Sequence, residues 1–436
     1  MQGIEGLFKI QELKKKLLFT AGVLAVYRLG TAIPVPGIDV GALKTYFEAQ
    51  SGSLFGFLDM FSGGALMRLS LFALGIMPYI NASIIMSLIR TTIPYLDRLQ
   101  KEGEAGRKKI TQITRYLGVA IAIVQGIGLT FWMQSMEAGG IRVVPNPGFG
   151  FQAMTVITLV TGAVFIMWLG EQVTEHGIGN GVSLLIFAGI VARLPSGLIN
   201  VIQMIRIEEL TLFGALFLLA VVIAITAAVV FVEQGQRKIP VQYAKRVVGR
   251  KMYGGQTSYL PIKVNQSGVI AVIFSMAILL LPMQLSQFFP NSQLFMTIET
   301  YLRHGAWIHT VLYSALIIFF CYFYTAITFN PRDIAENMKR GGGFIPGIRP
   351  GKPTADFIDR VIVRLTIVGA LFVVVIAVMP SYFERLFNAP FYFGGTALLI
   401  VVGVSLDTMA QLESYLIMRQ YEGFMKKGRL KGRYYR

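Results

Sequence analysis

The chain alternates between long apolar runs and short polar connections. A bilayer core about 30 Å thick is crossed by about 20 apolar residues of helix. Ten runs predict ten transmembrane helices, over residues 17–33, 71–89, 116–134, 153–169, 182–193, 211–232, 268–285, 308–329, 361–379 and 391–412. The fifth run is weak, because Arg193 and Pro195 follow its apolar part. That helix either stops there or continues to about Ile205.

These runs favour helices over a transmembrane β-barrel. A barrel would need alternating segments of about ten residues, and residues 216–232 do not alternate. The predicted fold class is therefore an all-α integral membrane protein. The composition agrees, since 54% hydrophobic and 14% charged residues exclude a soluble enzyme, a disordered chain and a collagen-like fibre. The single cysteine, Cys321, excludes an intrachain disulfide.

The basic residues define the orientation. The formal net charge is +17, and an N-terminus on the cytoplasmic side places 30 of the 40 Lys+Arg residues in cytoplasmic segments. The opposite loops hold 7 of them. The positive-inside rule then predicts that both termini are cytoplasmic. Arg28, Arg90 and Arg364 lie in or at the edges of spans, where some could snorkel to the interface.

Ten spans divide into five and five. Because five is odd, the second half starts from the opposite side, which predicts two inverted, pseudo-symmetric five-helix halves. The division rests on counting, because no residue-level repeat is visible. The predicted segments are a cytoplasmic segment (1–16), a first half (17–195), an external hinge loop (196–210), a second half (211–412) and a cytoplasmic tail (413–436).

Residues 54–70 are apolar but too interrupted to span the membrane. They lie on the external side and include Asp59, Arg68 and the pair Gly63-Gly64. One interpretation is a helix at the membrane interface. The other is a re-entrant segment in a protein-lined or water-filled cavity, where non-spanning backbone is tolerated at membrane depth. The residues alone leave both open.

Two cytoplasmic loops, 233–263 and 330–360, are longer than connections require. In the first, Pro240 and Pro261 limit helix, which predicts a hairpin-like projection with a basic tip at Arg246, Arg250 and Lys251. Basic loops on this side are what topology alone demands. Their length and their Pro and Gly content also favour a docking surface for ribosomal RNA or an acidic protein patch.

Motifs for catalysis are missing from the sequence. It has three histidines and no HExxH, no G-x-S-x-G and no set of Cys and His at metal-binding spacing. The glycines of residues 177–181 lack the Lys-Ser/Thr of a phosphate-binding loop, so a turn is expected. We expect no enzyme activity and no cofactor. Asp407, a carboxylate within the last span, is a candidate for either a functional or a capping and packing role.

Several long motifs resemble one family. They are VYRLGTAIPVPGID (26–39), FSGGALMRLSLFALGIMPYINASII (61–85), KEGEAGRKKITQITRY (101–116), GIGNGVSLLIFAGIVARLP (177–195), YLPIKVNQSGVI (259–270), NPRDIAENMKRGGGFIPGIRPG (330–351) and LLIVVG (398–403). On these motifs, which cover nearly the whole chain, the sequence resembles the SecY-type protein-conducting channels of bacteria, in the SecY/Sec61-alpha family.

The resemblance implies a central pore between the two halves, with a plug helix at 54–70 and a lateral gate to lipid. The implied pore ring is Ile80, Ile84, Ile186, Ile190, Ile273 and Ile400. The implied plug residues are Phe57, Asp59, Met60, Phe61, Gly63, Gly64, Leu66 and Arg68. The gate, between the second and seventh spans, would include Asn81, Ser83, Ser87 and Ser275. A ring of branched aliphatic side chains can close a pore by dewetting.

The resemblance also implies partners and a location. Arg246, Arg250, Lys251, Arg340 and Arg349 would contact the SecA motor ATPase or the ribosome, which supply the energy. SecE and SecG would be the small membrane partners, with SecDF as a further candidate. Signal-bearing preproteins would be the substrates, and their hydrophobic segments would pass sideways into membrane lipid. The location would be the bacterial plasma (inner) membrane.

Two positions depart from the family pattern. Ala271 stands where many bacterial members have proline, so we expect a helix kink to be missing there. Ser405-Leu406 interrupts a run that is more often aliphatic. Two competing hypotheses are a secondary transporter of small solutes, which an inverted repeat would also suit, and a docking platform without a pore. A transporter predicts a polar site at the membrane midplane, whereas the implied constriction is isoleucine.

Overall fold

The computed structural model describes residues 10–49, 59, 62–138, 141–208, 211–243, 246–248, 251–253, 257–286, 293, 297, 301–302, 306–387 and 395–427. The helices of this part are α1 (Gln11–Gly30), α2 (Val40–Ala49), α3 (Met77–Thr92), α4 (Pro94–Lys101), α5 (Glu104–Gln134), α6 (Phe149–His176), α7 (Gly181–Val191), α8 (Leu194–Arg206), α9 (Leu212–Gln234), α10 (Ile270–Ser286), α11 (Trp307–Thr328), α12 (Pro331–Arg340), α13 (Lys352–Phe387) and α14 (Gly395–Lys427). The strands are β1 (Glu137–Ala138), β2 (Ile141–Arg142), β3 (Gln236–Tyr243), β4 (Arg246–Val248), β5 (Lys251–Tyr253), β6 (Thr257–Lys263) and β7 (Gly343–Phe344).

Seven helical stretches of the described residues are long and apolar enough to cross a membrane. They are Glu104–Gln134, Phe149–His176, Gly181–Arg206, Leu212–Gln234, Trp307–Arg340, Lys352–Met379 and Gly395–Met418. They coincide with the third to sixth and the eighth to tenth predicted spans. The other three predicted spans fall on α1, α3 and α10, which are shorter or, for α1, interrupted by charge. The membrane fold is helical, as predicted.

The fifth span continues past its proline. Asn180 caps α7 by accepting a hydrogen bond from the Ser183 backbone N–H at 3.3 Å, and α8 follows after a short turn. Pro195 is the second residue of α8, where a missing N–H costs no intrahelical bond. The predicted external loop over 196–210 is therefore wrong as far as Arg206, and the longer of the two predicted helices is the observed one.

The second span begins later than predicted. Residues 71–76 form turns, and α3 begins at Met77. Just before these turns, Pro34 and Ser70 form an antiparallel bridge. The bridge is flanked by hydrogen bonds from Val35 N–H to the Leu69 carbonyl and from Leu71 N–H to the Ile33 carbonyl, both 2.9 Å. The end of α1 is thus tied to the residues that precede α3.

The chain divides into two compact units, one of residues 1–79, 115–195 and 404–436 and the other of residues 80–114 and 196–403. Both α3 and α14 contribute to each unit. The first unit contains an apolar cluster, here called the outer core, in which Leu66, Leu69, Trp132 and Met133 are buried. Leu66 and Leu69 belong to the segment predicted as the plug.

The second unit contains the predicted hairpin. β3 and β6 pair antiparallel, with Gln236 opposite Lys263 and Gln242 opposite Thr257, and β4 pairs with β5. β7 adds to the other edge of β3 at Gln242 and Tyr243 only. Pro240 therefore lies where that edge of β3 has no strand partner among the described residues, a position that tolerates proline.

The two long loops form one body. Ile239 and Ile262 of the hairpin pack with Ile345 of the second loop and with Ile358 and Ile362 of α13. Strands β3, β6 and β7, helix α12 and the first turns of α13 are here called the cytoplasmic body, after the side of the membrane predicted for these loops. The sequence predicted both loops separately, and their union is a tertiary contact that neither loop's pattern contains.

Candidate functional site

Asp59, a predicted plug residue, is completely buried. Its carboxylate forms an ion pair with the Arg193 guanidinium. It also accepts hydrogen bonds from the Met67 backbone N–H at 2.8 Å and the Ser62 hydroxyl at 3.3 Å. A buried carboxylate needs such partners, because desolvation without them is strongly unfavourable.

Helix α1 holds the adjacent backbone. The Tyr27 hydroxyl donates to the Ser62 carbonyl at 3.2 Å, and Arg28 Nη1 donates to the Gly63 carbonyl at 2.8 Å. Gly63 has φ +68°, and a Cβ placed on it would lie 3.0 Å from the Gly189 Cα of α7. Both the backbone conformation and the close approach require glycine there. The group Tyr27, Arg28, Gly189 and Arg193 is here called the plug seat.

The plug seat was only partly visible in the sequence. Arg28 was expected as a candidate for snorkelling, and it instead donates to the predicted plug segment. Arg193 was expected among the external basic residues, and it lies in the turn between α7 and α8 with its side chain 32% exposed. The signal that could have found the site is the presence of an acidic residue and two arginines in or beside apolar segments of one half.

The structure describes only part of the remaining predicted plug. Residues 63–69 form turns rather than a helix, so the single plug helix over 54–70 is wrong for them. Gly63 and Gly64 have positive φ, which ends helical structure. Leu66 is buried in the outer core, while Arg68 is exposed. Phe57, Met60 and Phe61 lie outside the described residues.

All six isoleucines of the implied pore ring are buried. Ile186 and Ile190 lie on α7 in the first unit, with 1% and 4% exposure. The others belong to the second unit: Ile80 and Ile84 on α3, Ile273 on α10 and Ile400 on α14. Burial suits a constriction and ordinary packing equally, so the ring stays a prediction.

The implied gate residues differ in whether their polar groups are hydrogen-bonded. The Ser87 hydroxyl donates to the Ser83 carbonyl at 2.8 Å, and the Ser275 hydroxyl donates to the Ala271 carbonyl at 2.7 Å. Such bonds within one helix satisfy both hydroxyls. Asn81 is 3% exposed, and neither atom of its amide group has a partner among the described residues. The gate assignment stays a prediction.

The expected effect of Ala271 is corrected by the helix boundary. Helix α10 begins at Ile270, so Ala271 lies in its first turn. A proline there would not kink the helix, because first-turn N–H groups have no intrahelical acceptor. The absence of proline at 271 therefore removes no kink. The proline inside α10 is Pro282.

The basic residues predicted for docking lie on the cytoplasmic body or beside it. Arg340 ends α12 and pairs with Glu336 at 3.5 Å between Nη2 and Oε2. Arg349 is exposed, and its carbonyl accepts a hydrogen bond from the Thr354 hydroxyl at 2.8 Å at the start of α13. Arg246 and Lys251 lie on β4 and β5. Arg250 lies outside the described residues.

Asp407 lies on α14 and is exposed rather than packed. It lines a cavity of about 400 Å³ in the first unit, together with Asn180, Ser183, Val404, Thr408, Ala410, Gln411 and Ser414. Gln411 fixes one wall by accepting a hydrogen bond from the Gly179 backbone N–H at 2.9 Å. The described residues contain no cluster of His, Cys, Asp or Glu that could hold a metal ion.

Comparison with known proteins gives a consistent result. A family model described as SecY matches residues 70–409. The protein translocase subunit SecY of Escherichia coli strain K12 is 49% identical over 424 residues, which cover 97% of this chain and 96% of that protein. The protein translocase subunit SecY of Aquifex aeolicus strain VF5 is 46% identical, with 97% of this chain and 99% of that protein covered.

Solved structures share the fold. A structure described as that of a protein-conducting channel aligns with TM-score 0.64 at 21% identity, covering 96% of this chain and 95% of that chain. A SecY structure, described through a plug domain that stabilises the closed channel, aligns with TM-score 0.63 at 22% identity and the same coverage. Sec61 from a canine ribosome–channel complex aligns with TM-score 0.62 at 19% identity, again over 96% and 95%.

Proposed function

The chain belongs to the SecY family, and from that premise we propose that it forms the protein-conducting channel of a bacterial secretion translocase. The observation that carries the proposal is the 49% identity with a protein translocase subunit over 97% of this chain and 96% of that protein. The chain is thus a channel subunit and not an enzyme. Signal-bearing polypeptides pass through it unfolded, and their hydrophobic segments leave sideways into lipid.

The proposed channel consists of ten transmembrane helices in two inverted halves around a pore. The pore ring of six buried isoleucines closes by dewetting and yields to a passing polypeptide. The segment around Asp59 and Gly63 is the plug, and the plug seat holds it. The polar residues of α3 and α10, with Asn81 foremost, form the lateral gate. The buried amide of Asn81, which has no partner among the described residues, supports this assignment, because such a group favours a state in which it gains a partner.

The proposed energy source is a partner on the cytoplasmic side. The cytoplasmic body carries exposed Arg340, with Arg349 beside it, and we assign it to the SecA motor or the ribosome. The related Sec61 structure comes from a ribosome–channel complex, which supports the second of these. SecE, SecG and SecDF complete the proposed assembly. The excess of basic residues in one set of loops supports cytoplasmic termini in a bacterial inner membrane.

Reconstitution tests the function. Proteoliposomes that contain this chain with SecE and SecA should import a signal-bearing precursor when ATP is added. The matched control is the same precursor with charged residues in place of its hydrophobic signal segment, and we expect no import. A second control omits this chain while keeping both partners.

The competing transporter makes the opposite prediction. It requires uptake of a small solute by this chain without partners. Solute uptake together with failed precursor import would overturn the channel proposal, provided that the chain is present in the liposomes at normal yield.

A further inference from the structure

The plug seat holds more positive than negative charge. Two guanidinium groups, those of Arg28 and Arg193, face one carboxylate, that of Asp59, and one carbonyl, that of Gly63. Both guanidinium groups bind the same short segment, residues 59–63. Removing the carboxylate would therefore take away the anion with which Arg193 pairs.

The carboxylate is equally dependent on the seat. Asp59 is 0% exposed, and the other groups that hold it, Ser62 and the Met67 N–H, belong to its own segment. Only Arg193 ties it to a membrane helix among the described residues. Losing one member of a buried ion pair is strongly unfavourable, because the other charge stays desolvated without compensation. Asp59 and Arg193 should therefore stabilise the seated segment together or not at all.

The contacts come from two different helices. Arg28 and Tyr27 belong to α1, whereas Arg193 follows the end of α7. The seated segment is therefore held at two points, Asp59 on the α7 side and residues 62–63 on the α1 side. A displacement of α1 relative to α7 would stretch or break these polar bonds, which act only over a short range.

We propose that Arg193 and Arg28 are positioning residues that hold the plug closed as an ionic latch, Arg193 through the Asp59 carboxylate and Arg28 through the Gly63 carbonyl. This inference rests on the proposed channel function. It goes further by naming the groups whose separation releases the plug. The neighbouring residues 65–70 stay behind, because Leu66 and Leu69 belong to the outer core and Ser70 is bridged to Pro34.

The test is a double-mutant cycle read out as ion leakage. The full chain with SecE is reconstituted in planar bilayers, and conductance is recorded without SecA, ribosome or precursor. Asp59→Asn and Arg193→Gln should each raise the open probability by about tenfold or more. The double variant should leak no more than either single variant, because removing both partners of one ion pair costs no more than removing one of them. Arg193→Lys keeps the cation and should stay close to the unchanged protein.

A matched control removes an exposed ion pair. Arg142 pairs with Glu137 at 3.1 Å on the external β1–β2 hairpin, and both side chains are more than half exposed. Arg142→Gln should leave conductance unchanged, since exposed pairs contribute little. If one single variant fails to assemble with SecE, the double variant and Arg193→Lys still decide, because the latch predicts that Arg193→Lys stays closed and that the double variant, which lacks the ion pair, leaks.

Deletion of residues 59–64 separates the latch from the plug itself. A rise in conductance on deletion, with no rise for Asp59→Asn or Arg193→Gln, would overturn the latch and leave the plug standing. Multiplication of the two single effects in the double variant would also overturn it, because Arg193 would then not act through Asp59. Unchanged conductance on deletion would instead refute the plug assignment, whatever the point variants do.

Discussion

Gly189 lets α7 approach the seated segment more closely than any other residue could. A Cβ on Gly189 would lie 3.1 Å from the Gly63 Cα and 3.4 Å from the Tyr27 hydroxyl. We expect Gly189→Ala to push the segment from its seat and to raise the resting ion conductance of reconstituted complexes several-fold, as about 1 kcal/mol of strain would do. Gly22→Ala on α1 is the control, since nothing lies within 4 Å of its added methyl group. Equal conductance in both variants would contradict the close packing.

The sequence predicted the plug segment but not the two arginines, Arg28 and Arg193, that bind it. Gly63 could be predicted as a plug residue because it lies in the family motif of residues 61–85, and the resemblance also implied Asp59, just before that motif. Arg193 could not, because its pairing depends on how α7 ends and α8 begins, and the apolar pattern left that boundary open. Arg28 was noted only because it lies within the first predicted span, from which its side chain could snorkel to the membrane interface. Charge pairing between distant segments is a tertiary fact, which no local periodicity encodes.

Helix α10 offers a direct test of where proline disrupts a span. Ala271 and Ala277 are both buried, at 0% and 1% exposure, but the first lies in the opening turn and the second lies mid-helix. Ala277→Pro should remove a backbone hydrogen bond and destabilise the helix by about 3 kcal/mol or more. Ala271→Pro adds the same ring without that loss. The melting temperature of the purified complex should fall clearly more for Ala277→Pro, and equal losses would refute the boundary.

Ile345 is a buried part of the apolar contact between the two loops of the cytoplasmic body. Ile345 is 4% exposed and packs with Ile239 and Ile262 of the hairpin. Ile345→Ala should cost about 2–5 kcal/mol of local stability and should speed proteolytic cleavage of residues 330–360 in the membrane-bound protein. Tyr259→Ala on β6 is the control, because that side chain is 57% exposed. Similar cleavage rates for the two variants would show that Ile345 does not hold the loop.

The hairpin itself was predictable, whereas its third strand was not. Prolines and a Gly-Gly pair in residues 233–263 excluded a helix and indicated a turn. β7 has only two residues, Gly343 and Phe344, and pairs across a long stretch of chain. So short a strand has no alternation to detect, and it forms because Ile345 beside it is buried against the hairpin.

At the scale of the whole molecule, the proposed binding of the SecA motor can be tested through Arg349. Arg349→Glu should leave membrane insertion intact and lower SecA-driven precursor import by at least about tenfold, because it reverses an exposed charge on the proposed docking side. Arg142→Glu makes the same change on an exposed residue of the β1–β2 hairpin, which is not part of the cytoplasmic body, and should import normally. Normal import by Arg349→Glu would remove this residue from the partner site.

The membrane layout was the most predictable level. Apolar runs of about 20 residues are dictated by bilayer thickness, and seven of the ten predicted spans coincide with helices that are long and apolar enough to cross a membrane. The two compact units were not predicted, because α3 and α14 each belong to both. Counting spans assigns each whole helix to one half of the chain. Contacts between residues can instead divide one helix between the two compact units, as they do for α3 and α14.

Helix α13 extends over 36 residues, or about 54 Å at 1.5 Å per residue, well beyond the bilayer core of about 30 Å. Its first turns pack against Ile239, Ile262 and Ile345, and the same helix continues into the stretch that is apolar enough to cross a membrane. No break in this helix separates its first turns from the stretch that is apolar enough to cross a membrane. A tilt that a partner imposed on the predicted cytoplasmic side would therefore be carried along the same helix into the membrane.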